Sequence, residues 1–343
     1  MSDPRALPSL LRDLAGEQAP APARLQEALQ AVLDGEGCEV QLGALLMGLR
    51  LAQVDAALLV AGAHALRSRM RAIDLGAGLI DVCGAGGDGA GLLNISTAVS
   101  FVLAGCGLRV AKHGNRAMSS RSGAADVLEA AGIVLVDQPA ALRRLLEHTN
   151  LCFLFAQSHH PGLARLAAPR RRLGFRTLFN LLGPLANPAG AARQLLGVFD
   201  AGLLDAVAAA LAALDCEKAW VVHGEGGLDE LSLSGPSEVV ALGNGRLRRF
   251  QVRPEDAGLT PAPLEALRGG EPAQNAEALR AMLHGEPGAY RDAVLLNAAA
   301  ALVVAERAPT LREGAAIAAA AIDAGAAAQV LARTITLSRE GGS

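Results

Sequence analysis

The stretch Asp81 to Gly132 most limits what this chain of 343 residues can fold into. An apolar run, Leu79 to Cys83 with Asp81 set inside it, ends in Gly84-Ala85-Gly86-Gly87-Asp88-Gly89. Residues 94 to 106 then read as a buried helix, with Asn94, Ser96 and Thr97 at its start. The logic repeats. Leu108 to Ala111 reads as a strand ending in Lys112, His113, Gly114, Asn115 and Arg116. Ser119, Ser120, Ser122 and Gly123 follow, and a second helix is predicted from about Ala124 to Ala131. Strand alternating with helix points to an α/β fold.

The chemistry of the two loops is that of anion binding. Backbone N–H groups at a helix start have no intrahelical partner, and the helix dipole favours negative charge there. Glycines let the backbone approach a phosphate with no Cβ in the way. Two cations and several hydroxyls beside such a loop suggest a polyphosphate site at the carboxyl ends of the strands. Gly84, Gly86 and Gly89 also match the dinucleotide fingerprint G-x-G-x-x-G. That fingerprint wants an acidic residue about 20 positions on, where Lys112 and His113 stand instead. Asp88 facing a pyrophosphate also calls for a metal between them.

The combination GAGGDG, NIST, KHGNR, SS and GAADVLEA resembles the signature of the anthranilate phosphoribosyltransferases. So do residues 159–189, 221–233 and 290–305, in order, so the resemblance spans nearly the whole chain. It implies transfer of phosphoribose from 5-phosphoribosyl 1-pyrophosphate (PRPP) to anthranilate, with Mg²⁺ as cofactor, in a cytoplasmic homodimer. The implied PRPP contacts are Gly84, Gly87, Asp88, Asn94, Ser96, Thr97, Lys112, Gly114, Asn115, Arg116, Ser119, Ser120 and Ala124. Gly84, Asn115 and Arg170 are implied for anthranilate, and Ser96, Asp229 and Glu230 for the metal. Lys112 and His113 are the catalytic candidates. Three positions lose a hydroxyl common in the family: Ala85, Leu92 and Ala124. Each lost hydrogen bond to a charged oxygen is worth about 1.5–3 kcal/mol. The backbone amides at 85 and 124 are expected to remain available.

The implied architecture is of the nucleoside phosphorylase and phosphoribosyltransferase type. Residues 1–74, helical throughout by spacing, form a small domain. Residues 75–343 form a large α/β domain with a mostly parallel sheet, and a helical segment near 170–188 packs on the first. Further strands are expected at Ile133–Val136, Leu151–Ala156, Leu195–Phe199 and Ala219–Val222, with a hairpin about Gly243-Asn244-Gly245. Ala-rich helices fill 275–335. His159 and His160 have no third metal ligand near in sequence, and Arg171 and Arg172 read as a solvated face.

Composition sets the outer bounds. A net charge of −3 gives no basic footprint for nucleic acid, and 3% aromatics are too few for base stacking. Five scattered cysteines suit a reducing compartment. Gly89 to Leu108 carries no charge over twenty residues, yet a buried helix between strands explains it better than a membrane span. Two rival readings stand beside transfer to anthranilate: a paralogue of the same fold that lost catalysis and binds nucleic acid or another ligand, and a phosphoribosyl- or nucleoside-transferring enzyme with a different acceptor.

Overall fold

The computed structural model describes residues 5–16, 20–86, 89–117 and 121–340. Gly87, Asp88, Ser119 and Ser120 lie outside the described residues.

Four helices come first: α1 (Ala6–Ala15), α2 (Pro22–Leu33), α3 (Glu39–Leu51) and α4 (Ala56–Arg67). Asp55 caps α4, its carboxylate accepting the Leu58 N–H. Then follow β1 (Leu79–Gly84), α5 (Ile95–Gly105), β2 (Arg109–Gly114), α6 (Ala124–Ala130), α7 (Pro139–Thr149) and β3 (Leu151–Phe155). The chain continues through α8 (Ala156–His159), α9 (Ala164–Leu173), α10 (Leu178–Leu182), β4 (Arg193–Gly197), α11 (Leu204–Ala213) and β5 (Lys218–His223). The hairpin β6 (Ser237–Gly243) and β7 (Arg246–Val252) and the helices α12 (Pro272–Leu283), α13 (Ala289–Val304), α14 (Leu311–Asp323) and α15 (Ala326–Glu340) complete it.

The sheet runs β3-β2-β1-β4-β5-β6-β7. The first five of these strands are parallel, and β6 and β7 are antiparallel. The chain leaves β1 toward β2 and β3, then returns to lay β4 on the other side of β1. The carboxyl ends of β1 and β4 are therefore a topological switch point, where such sheets open a crevice.

Helix α5 is buried on every side, packed on β1 and β2 and covered by α13 and α15. It explains the uncharged stretch from Gly89, and at eleven residues it is far short of a span. Among the described residues no single helix is long and apolar enough to cross a membrane. The first four helices share one apolar core with α10, α11 and one face of β4 and β5. At their junction α4 and α10 touch so closely that a Cβ at Gly62 would press into Leu182.

The expected strand at Ile133–Val136 does not form. The Ile133 N–H closes the end of α6 on Leu128 O, and the Val134 N–H donates to Ser338 Oγ on α15. With these amides spent on helices the segment cannot join a ladder, and β3 is the sheet edge. Ile133, Leu135 and Val136 pack into the apolar cores instead, while Val134 is exposed.

At the end of β4, a Cβ on Gly197 would overlap the Asp229 carbonyl and its peptide. Gly197→Ala is expected to cost about 1–3 kcal/mol from overpacking and to displace the 229–230 turn. Thermal unfolding together with a metal-dependent binding assay checks this; unchanged values in both would contradict the close packing.

Candidate active site

A cleft opens at the switch point, bounded by the ends of β1 and β2, the start of α5, the loop before α6, and α9 and α10. Its lining includes Gly84, Asn94, Ser96, Thr97, Lys112, His113, Gly114, Asn115, Arg116, Ala124, Arg170, Asp229 and Glu230. The structure thus brings every described sequence-predicted site residue to one place.

The acidic pair sits on the loop donors. Asp229 Oδ2 accepts the Gly86 N–H at 2.6 Å, and Glu230 Oε1 accepts the Ser96 N–H at 3.1 Å. One carboxylate fixes the glycine loop, and the other caps the first turn of α5. The donor set of two carboxylates and the Ser96 hydroxyl is all hard oxygen. Magnesium uses one or two carboxylates and takes the rest of its shell from water and phosphate, so these residues fit Mg²⁺. Among the described residues no cluster of three or more His, Cys, Asp or Glu could hold a metal by itself. His159 and His160 are accordingly not a metal site: His159 Nδ1 donates to Arg71 O at 2.7 Å and His160 Nε2 to Ala186 O at 3.1 Å.

Lys112 is buried, its Nζ donating to Val82 O at 2.7 Å and Ser96 Oγ at 3.3 Å. Beneath it lies Asp81, fully buried, accepting the His113 N–H at 3.1 Å and a hydrogen bond from Asn187 Nδ2 at 2.8 Å. Desolvation pushes the Asp81 carboxyl up to about 6 against the pull of Lys112. His113 stands 5.2 Å from His160, ring to ring, and its Nε2 is buried without a partner. Burial lowers both imidazoles, His113 well below its usual value and His160 to about 4. Both are neutral at neutral pH.

Arg116 reaches the cleft, and its guanidinium also pairs with Asp126 at 3.1 Å and with Glu129 on α6 at 2.8 Å. One expectation changes: the Ala85 amide is not available to a ligand, because it donates to Gly197 O at 2.9 Å and continues the β1–β4 ladder. Asn94 is similarly engaged, accepting from Asn275 Nδ2 at 2.9 Å and donating to Ser122 O at 3.1 Å. Thr97 is buried in the first turn of α5.

Arg170, near the end of α9, lines the cleft on the side of α10. Burial lowers its guanidinium. Its contacts are Asn180 Oδ1 at 3.3 Å and the Phe179 ring, 5.8 Å from centroid to guanidinium carbon. No carboxylate pairs with it among the described residues. Arg171 is left without an assigned role, and Arg172 pairs with Glu39 on the surface, as expected of a solvated face.

Sequence reasoning missed Asn180, Asn275 and the Leu267–Gly270 segment, which clamps the glycine loop through Leu93 N–H to Leu267 O and Gly269 N–H to Gly91 O. The Gly269-Gly270 pair before Pro272 was a turn signal for that segment. Nothing local in sequence ties it to a loop so far back along the chain.

The family described as "Glycosyl transferase family, a/b domain" matches residues 76–328. The anthranilate phosphoribosyltransferase of Parvibaculum lavamentivorans is 49% identical over 327 residues, covering 95% of this chain and 96% of that one. The chain belongs to the anthranilate phosphoribosyltransferases. The solved enzyme of this family from Thermus thermophilus superposes with a TM-score of 0.89 at 41% identity, over 96% of this chain and 99% of its own. The Saccharomyces cerevisiae enzyme, solved in complex with PRPP and Mg, gives 0.90 at 26% identity and 99% coverage of both chains.

The buried imidazoles of this phosphoribosyltransferase link stability to pH. An imidazole at about 4 in the folded state and 6.5 outside it stabilises fully above 6.5. That contribution is lost as pH falls toward 4. Asp81 works in the opposite direction within the same window, losing stability as pH rises toward 6. Comparison with a variant isolates the imidazole. His160→Gln is expected to lose less melting temperature than wild type between about pH 7 and pH 5; equal losses in a differential scanning series would refute the assignment.

Proposed function

We propose that this chain transfers the 5-phosphoribosyl group of PRPP to the amine of anthranilate. The products are N-(5′-phosphoribosyl)anthranilate and pyrophosphate, on the route to tryptophan. One juxtaposition carries the reading: a half-buried arginine without a carboxylate partner among the described residues, Arg170, shares a cleft with a glycine loop and an acidic pair. An arginine fork suits a planar benzoate carboxylate, and the loop and helix start suit a pyrophosphate.

In the reaction the C1–O bond to pyrophosphate breaks and its electron pair leaves with the pyrophosphate. The amine lone pair forms the new N–C1 bond, and the nitrogen then gives up a proton to water. Asp229, Glu230 and the Ser96 hydroxyl would hold Mg²⁺, which would supply neutralisation of charge on the pyrophosphate. Gly84 and Gly114 line the PRPP side of the cleft with Asn94, Thr97 and Ala124. Gly87, Asp88, Ser119 and Ser120 are assigned to PRPP by family membership. Lys112 acts from below, holding the Ser96 hydroxyl and adding positive field at the first turn of α5. Asn115 and Arg170 hold the acceptor near C1, where ideal alignment is worth about 7–11 kcal/mol. His113, kept neutral by burial, is a polar wall for the amine.

The domains in this proposal are 1–74 and 75–343, with 170–188 packed on the first; the family match beginning at residue 76 supports the boundary. A homodimer is supported by α3. Its inner side buries Leu42, Leu45, Leu46 and Leu49, while Val40, Met47 and Leu51 stand 80%, 43% and 74% exposed. Their spacing places them along one stripe. A cytoplasmic setting is supported by five unpaired cysteines.

Loss of anthranilate fluorescence with purified protein, PRPP and Mg²⁺ tests the reaction. Wild type is expected to consume anthranilate. Arg170→Ala is expected to raise its KM about 10–100-fold, from loss of charge-assisted hydrogen bonds of about 1.5–3 kcal/mol. No turnover at saturating PRPP would reject the proposal and leave the non-catalytic paralogue. For the dimer, Val40→Asp with Leu51→Asp is expected to convert dimer to monomer in sedimentation equilibrium; a dimer that persists places the interface elsewhere.

A further inference from the structure

Asn180 occupies a position that no step of the transfer uses. It lies inside the five-residue helix α10 and lines the cleft. Its Oδ1 accepts both the Thr177 N–H at 3.1 Å and Arg170 Nη2 at 3.3 Å. Its Nδ2 reaches the Ala85 carbonyl at 3.5 Å. One amide therefore touches the start of its own helix, the acceptor-side guanidinium and the glycine loop.

Arg170 is otherwise weakly held. Its Nη2 bond to Asn180 is its one hydrogen bond to protein among the described residues, and the Phe179 ring beneath it fixes no direction by hydrogen bonding. A long cation of this kind explores several rotamers unless an acceptor pins one N–H. Asn180 pins Nη2, which leaves the rest of the fork to face the cleft.

We propose that Asn180 is a positioning residue for acceptor selectivity: it aims the Arg170 fork at the acceptor's carboxylate, and it does so because its side chain is a neutral amide. Neutrality is essential to the device. A carboxylate at 180 would pair with Arg170 and occupy the charge meant for the substrate. An apolar side chain would leave the fork undirected. The amide holds the arginine without satisfying it, and its NH₂ end is simultaneously compatible with the Ala85 carbonyl.

A local capping role is the competing explanation, since Oδ1 also closes the start of α10. The two are separable by substrate. A cap serves every substrate equally, whereas aiming Arg170 serves only an acceptor that carries a carboxylate. The inference rests on the transferase reading, so the test includes one readout that does not depend on turnover.

The experiment compares kcat/KM for anthranilate with that for aniline, which has the amine but no carboxylate, in wild type, Asn180→Asp and Asn180→Ala. Asn180→Asp retains an oxygen for the Thr177 N–H, so α10 keeps its cap. The anthranilate-to-aniline ratio is expected to fall at least about tenfold in Asn180→Asp, as loss of one charge-assisted bond predicts, and by a smaller factor in Asn180→Ala, chiefly through the KM for anthranilate. Direct titration of anthranilate by its own fluorescence, in the presence of pyrophosphate and Mg²⁺, is expected to weaken in the same order. Equal losses for both amines, or an unchanged ratio, would overturn the proposal and leave only the cap. If wild type binds anthranilate but turns over neither amine, the transferase reading fails, and the binding series alone decides for or against Asn180.

Discussion

The Asp229-Glu230 turn lies in the notch between β1 and β4, and the rest of the site is built around that contact. Gly84, Gly197 and Gly224 all present bare Cα atoms to it; a Cβ on any of them would run into Asp229 or Glu230. The turn is held from behind by Asn297 on α13, whose amide accepts the Leu231 N–H and donates to the Leu231 carbonyl. Its two carboxylates then reach forward onto the Gly86 and Ser96 amides. Those amides belong to the edge that a polyphosphate would use. Carboxylate and phosphate oxygens crowded on one edge repel each other unless a cation lies between them. The proposed Mg²⁺ would relieve that repulsion.

A second network sets the acceptor side against this frame. Asn187, in the turn after α10, donates to Asp81 on β1 and to the Ala111 carbonyl on β2, and its own carbonyl accepts the Ala189 N–H. Asp81 in turn accepts the His113 amide. The chain that carries α10 is thus tied to the two strands whose ends carry the phosphate loops. Buried polar groups of this kind are costly when unpaired, and Asp81 and Asn187 satisfy each other and the backbone around them. The two sides of the cleft are consequently fixed relative to one another by hydrogen bonds through the sheet, and the apolar contact of Gly62 with Leu182 fastens α10 to the first helices.

Much of this was legible in the sequence because the signals are local. Apolar runs that end in glycine or in Lys-His-Gly-Asn-Arg give strands with loops at their carboxyl ends, and five of the expected strands and the hairpin formed. Where a reading failed, the cause was a partner distant in the chain or hidden in a neighbouring helix. Ile133–Val136 has strand composition, but α15 supplies Ser338 to its amide. The Ala85 amide looks free in sequence, but Gly197 on β4 takes its hydrogen bond. Asn275 and Asn180 carry no local mark of function at all, since an asparagine in a helix is unremarked until its neighbours in space are known.

The three lost hydroxyls can be understood from what replaced them. Ala85 is buried against the helical core, and its amide extends the β1–β4 ladder. Leu92 forms a bridge with Arg268 and packs on the main core. Ala124 brings its methyl group against Gly114, where any Cβ on that glycine would also press on Phe153. In each case the side chain present packs against the protein. The consequence falls on order. Residues 91–93, fastened to Leu267 and Gly269 and packed through Leu92, have less freedom to lose when a ligand arrives. Fixing backbone beforehand spares about 1–2 kcal/mol per residue.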